Sequence, residues 1–131
     1  MMFNNPAPYN MATSTIKSQN EKVTGTITKV VSGGTMDGTS LVRVGDTVFA
    51  SGRIHSLANV ATDQTFFQIP VGFRPKQSAL VNGYASITNN GVATLGQGVY
   101  LVILTDGTVN LGYSSTATLT QIFFAGSWSV A

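Results

Sequence analysis

From Val23 onward, apolar residues alternate with small polar ones along most of the chain. In TVFASGRIH, residues 47–55, Val48, Ala50, Gly52 and Ile54 share one face of an extended strand, and Phe49, Ser51, Arg53 and His55 share the other. The first set belongs in a core. The second mixes an aromatic ring, a guanidinium and an imidazole, and belongs to solvent or to an interface. The same pattern predicts strands over 23–31, 40–44, 47–55, 64–69, 78–88, 92–95, 98–105, 108–113 and 117–129. Turn signals separate them. Gly45-Asp46 and Asp106-Gly107 are two-residue hairpin connections, and TNNGV at 88–92 is a third turn. The last run carries Ile122, Phe124 and Trp128 on one face and Phe123 and Ala125 on the other. A strand apolar on both faces is central in its sheet or packs on a neighbouring subunit. No internal repeat is visible. The expected architecture is all-β: a jelly-roll-like antiparallel β-sandwich of about eight strands spanning residues 23–131.

Residues 1–22 differ. FNNPAPYN is rich in Pro and Asn and reads as extended or loosely ordered, and MATSTIKSQNEK permits one short helix with a thin apolar stripe. The segment reads as an arm that attaches the domain to something else, or as a disordered terminus. It has no basic region followed by an apolar one, so it is not expected to be a secretory signal.

Composition narrows the functional classes. Apolar residues make up 43% of the 131 positions and charged residues only 9%, against about 25% charged in an ordinary soluble domain. Such a surface is covered by Ser, Thr, Asn, Gln and Gly, or is partly buried against other copies of the chain. Residues 1–30 carry Lys17, Lys22 and Lys29 against Glu21. Residues 31–131 balance Arg43, Arg53, Arg74 and Lys76 with Asp37, Asp46, Asp63 and Asp106. No basic cluster exists, so nucleic-acid binding is not expected. No apolar run approaches the roughly 20 residues of a spanning helix, so membrane insertion is not expected either. Cysteine is absent, which removes disulfides and thiolate metal sites.

One stretch interrupts the alternation. In QIPVGFRPKQSALVNGYASI, residues 68–87, Pro70 ends a strand and Gly72 supplies a turn. Phe73 is placed to plug the core, and Pro75 forces Arg74 into an extended conformation. This predicts a rigid crossing with Arg74 on the corner, free for another chain or a ligand.

The order SLVRVGDTVFASGRI, FFQIPVGFRPKQSALVNGYASI and VYLVILTDGTVNLGY resembles the C-terminal head domains of phage tail receptor-binding and baseplate proteins, above all those of siphophages of Gram-positive hosts. The resemblance covers about residues 23–131. It implies a homotrimeric jelly-roll head, carried on the virion and assembled in the host cytoplasm, that binds host cell-surface or cell-wall polysaccharide. Longer members have a long neck where this chain has only residues 1–22. That difference implies direct attachment to another virion protein through the arm, or a fragment of a longer chain.

Enzyme chemistry is poorly supplied. His55 is the only histidine, and no nucleophile-elbow motif surrounds a serine. The four aspartates fall at or near predicted turns, where turn formation explains them. A glycosidase would need two acids converging, here from different subunits. No EF-hand spacing or histidine pair suggests a metal, and no cofactor is expected. Saccharide binding asks for less: an aromatic face and hydrogen-bonding side chains around it. The candidates are Arg53, His55, Asn82, Tyr84 and Trp128, with Tyr100 and Tyr113 beside them and Arg74 as a corner or interface residue. Trp128 and Tyr100 have packing roles as alternatives. Arg53 and His55 have an interface pair as theirs. The expected function is non-catalytic recognition. A structural decoration or head-fibre protein that binds other virion proteins through the arm stands as the alternative.

Overall fold

The computed structural model describes residues 21–58, 60–61, 64–89, 91–112 and 118–130. Residues 1–20 of the expected arm lie outside these, as do Tyr113 and Asp63. Ten strands follow: β1 (Lys22–Thr24), β2 (Thr28–Lys29), β3 (Thr35–Val44), β4 (Thr47–His55), β5 (Val60–Ala61), β6 (Thr65–Gln68), β7 (Ala79–Asn89), β8 (Val92–Ile103), β9 (Thr108–Leu111) and β10 (Thr118–Ser129). No helix occurs among the described residues. Every strand pairing is antiparallel. Nine strands form one path, β1-β3-β4-β10-β7-β8-β9-β6-β2, and β5 pairs with β10 beside it.

This path is strongly curled. Nine strands laid flat would put the outermost two roughly 38 Å apart, at about 4.8 Å per gap. Only Gly25, Thr26 and Ile27 separate β1 from β2, and that linker spans about 14 Å at most when extended. The two ends of the path must therefore come together, with the core inside the curl. Phe67 on β6 and Phe124 on β10, from well-separated strands of the path, meet with ring centroids 5.3 Å apart. Ile54, Phe66, Ile69, Leu101, Ile103, Leu119 and Ile122 fill the rest and are fully buried.

The all-β class and the antiparallel pairing match the alternation of the sequence. Differences lie at glycines. The run 23–31 breaks after Thr24, and Gly25 crosses from one end of the path to the other with its amide on the Leu41 carbonyl at 2.9 Å. A Cβ there would stand 2.8 Å from the Phe73 ring and 3.0 Å from Leu41. Gly25→Val should therefore cost about 1–3 kcal/mol through overpacking, read as a lower urea midpoint at unchanged m-value. The runs 92–95 and 98–105 form one strand, β8, with an irregular register opposite Ala85 and Ile87 and Gly96 at φ +66°.

The Pro-Val-Gly-Phe-Arg-Pro corner, residues 70–75, ties two hairpins together. Phe73 is buried beneath it, and Gly72 takes φ +95°. Arg43, before the β3–β4 turn, donates through Nη1 to the Gly72 carbonyl at 2.8 Å and through Nε to Gly45 at 2.7 Å. The Ile69 amide bonds the Gly107 carbonyl at 2.8 Å, and Gln68 Nε2 bonds the Asp106 carbonyl at 2.7 Å. Arg74 is not free on the corner: its Nε donates to the Ile69 carbonyl at 2.8 Å. The three segments that carry the sequence resemblance thus converge on one structural knot.

Candidate functional site

β10 assembles the outer face of the sheet. It lies between β4 and β7. Its Phe123 is opposite Arg53 on β4 and Tyr84 on β7, and its Ala125 is opposite Ser51 and Asn82. Extended by one strand on each side, the first row reads Asp37, Arg53, Phe123, Tyr84, Gly98. The second reads Ser40, Ser51, Ala125, Asn82, Tyr100. Directly opposed side chains point to the same side, with Cβ atoms about 4.5–5.5 Å apart. Arg53, Asn82, Tyr84 and Tyr100 therefore share one surface, and His55 lies on the same outward face of β4.

One end of the first row is charged. Arg53 donates to both oxygens of Asp37, Nε to Oδ1 at 2.9 Å and Nη2 to Oδ2 at 2.8 Å. His55 Nε2 lies 3.1 Å from the same Oδ2, and His55 Nδ1 lies 3.0 Å from Ser56 Oγ. An ionised carboxylate only accepts, so Nε2 carries the proton in that bond. In a neutral ring Nδ1 then accepts from the Ser56 hydroxyl. The Arg53 hydrogen bonds pull the Asp37 carboxyl to about 2 from the ordinary 3.8; partial desolvation opposes this, and His55 adds to it. Asp106 is lowered as well, first by the Thr108 amide. A carboxyl depressed in the folded state stabilises above its unfolded value and loses that contribution as pH falls through its folded value. The melting temperature should drop between about pH 4 and pH 2. Asp37→Asn should flatten part of that drop in a thermal-melt series across these pH values.

The middle of the row is aromatic. Tyr84 and Phe123 stack at 5.3 Å with a tilt of 31°, and they are 51% and 37% exposed. Tyr100 is pinned by its hydroxyl, which donates to the Gly112 carbonyl at 2.8 Å. Three shallow grooves open on this face. One of about 520 Å³ runs along Asp37, Arg53, Gln121 and Phe123. One of about 460 Å³ has a floor of Ser40, Ser51, Ala125 and Ser127 beside Phe49. One of about 400 Å³ lies between Tyr84 and Tyr100 over Asn82 and Gly98.

Trp128 is not part of this surface. It faces inward, is 6% exposed, and donates Nε1 to the Phe73 carbonyl at 2.7 Å. It cannot serve as a stacking platform; its role is to lock β10 to the corner. Arg74 lies at the corner end, away from Arg53. Thr47 and Arg53 are six residues apart on β4, about 20 Å at 3.3 Å per residue. Tyr113 lies outside the described residues. Asp37 and Phe123 escaped the sequence reasoning, the first assigned to a turn and the second to packing. The signal for Phe123 was present in its alternation with Phe124. Among the described residues no group of His and acidic side chains could hold a metal ion.

No protein-family model matches the chain, and no curated protein is detectably similar to it in sequence.

Proposed function

We propose that this protein is a homotrimeric, virion-borne receptor-binding head that recognises host cell-surface saccharide without catalysis. The curled sheet would be the jelly roll of that head, and residues 1–22 its attachment to another virion protein. The observation that carries the reading is the outer face of β4, β10, β7 and β8. It sets Arg53, Asn82, Tyr84 and Tyr100 in adjacent rows around Phe123. Aromatic platforms bordered by amide, hydroxyl and guanidinium groups are what a sugar needs: stacking for its C–H faces and hydrogen bonds for its hydroxyls. Shallow open grooves suit weak individual sites, and weak sites suit a particle that binds through many copies.

Two further features support the proposal. Phe49, Leu80, Val92 and Leu95 are exposed around the same strands, and packing of copies would cover such apolar area. Glycosidic cleavage asks for one carboxylic acid with a raised pKa. Asp37 and Asp106, two of the five acids in the chain, are both shifted the other way, so neither is suited to that role.

The test joins light scattering with binding to bacterial cells and to a glycan array, on one purified sample. The expected result is a particle of three chains and saturable binding that free sugar competes away. Arg53→Ala with His55→Ala should weaken that binding at least tenfold and leave the trimer intact. Unchanged binding would remove these two residues from the site. A folded trimer that binds no cell and no glycan would favour the structural decoration role, with the partner of residues 1–22 as its target.

A further inference from the structure

Among the described residues, the charges near the grooves are few and already matched. β7, β8 and β10 contain no acidic, basic or histidine residue, and none occurs anywhere between Lys76 and Asp106. On the first row the only charged groups are Asp37 and Arg53, and each satisfies the other through two hydrogen bonds. An anionic ligand lying between Tyr84 and Tyr100 would give up hydration without meeting a free cation, and that loss is costly. An uncharged sugar loses far less and gains the two rings. Both rings are held in place before any ligand arrives: Tyr84 by Phe123, and Tyr100 by its bond to Gly112. Exposed Asn82 stands between them, with an amide that both donates and accepts. Opposite Tyr84, Gly98 leaves the floor open: a Cβ built there would meet nothing within 4 Å. At about 400 Å³ the groove lies in the range of about 300–1,000 Å³ typical of small-ligand sites.

We infer that the groove between Tyr84 and Tyr100, over Asn82 and Gly98, is a subsite for a neutral pyranose of an uncharged surface polysaccharide, and not for a phosphate- or uronate-bearing one. This rests on the receptor-binding reading and names the ligand class of its site. Affinity is then insensitive to salt, because no counterion is displaced. The Arg53 guanidinium becomes an anion receptor only when Asp37 is removed.

The full-length protein is applied to an array of neutral glycans together with poly(glycerol phosphate) and hyaluronate, at 50 and 500 mM NaCl. The expected result is binding to neutral glycans that changes less than twofold between the two salt concentrations. Tyr84→Ala should weaken it at least tenfold. Gly98→Val, whose Cβ meets nothing within 4 Å and whose methyls would enter the groove, should abolish it while the melting temperature stays unchanged. Asp37→Asn should gain salt-sensitive binding to poly(glycerol phosphate). Wild-type binding confined to the charged polymers and lost at 500 mM NaCl would overturn the inference and leave receptor recognition standing. Neutral binding that survives Gly98→Val would overturn the placement of the subsite. Absence of binding to every glycan would remove the receptor reading and the inference together.

Discussion

Replacing Phe73 by alanine is expected to cost about 3–5 kcal/mol, a large share of the roughly 5–15 kcal/mol that holds a domain of this size folded. Phe73 enters the core from the corner rather than from a strand. Its ring lies against Gly25, where the chain crosses between the two ends of the sheet path. Its carbonyl accepts the Trp128 indole N–H at 2.7 Å. Truncation opens a cavity where the β3–β4 hairpin, the β8–β9 turn and β10 are tied together. The backbone there is fixed by Arg43, Ile69 and Gly107, so it cannot easily collapse into the space. The neighbouring Val71 is 80% exposed on the same corner, and Val71→Ala is the matched control. Chemical denaturation of both should show a large fall in midpoint for Phe73→Ala and a change within about 0.5 kcal/mol for Val71→Ala. Equal effects would mean that the corner is not a core plug.

The corner and β4 were readable because their physics is local. Proline and glycine dictate their own backbone, and strict alternation over 47–55 leaves only one way to bury Val48, Ala50 and Ile54. The candidate site was readable residue by residue but not as a surface. Arg53 and Tyr84 are 31 positions apart in the sequence, and only the insertion of β10 between their strands makes them neighbours. Asp37 was hidden by a bulge. Alternation carried back from buried Leu41 would turn Asp37 inward. The extra residue at Gly38, with φ +59°, reverses the phase and sets Asp37 opposite Arg53 instead. A glycine marks such a site only as a turn or a bulge, and the choice depends on the partner strand. Trp128 shows the opposite failure. Its residue type suits a ligand platform, but its phase in β10, shared with Ile122 and Phe124, buries it. The residue type pointed outward and the periodicity inward, and the periodicity decided.

Tyr84→Ala is expected to have the largest effect on attachment, provided the protein binds as proposed. Removing a central aromatic anchor typically costs about 2 kcal/mol at a single site, a factor of about 30 in affinity. Tyr84 is half-exposed and rests on Phe123 rather than in the core, so the fold should survive and the loss should belong to the site. A trimer engaged at three points multiplies the loss, because each linked site contributes its own free energy to the whole. Avidity on a saccharide-coated surface should then fall by up to about 10⁴. The same variant tested with a monovalent oligosaccharide in solution should lose only the single-site factor. Surface-immobilised and free ligand, measured side by side, therefore separate the contribution of the ring from that of the assembly. Equal losses in the two formats would mean that the sites act singly and that trivalent engagement is not how the protein holds a surface. No loss in either would place the ligand elsewhere on the molecule.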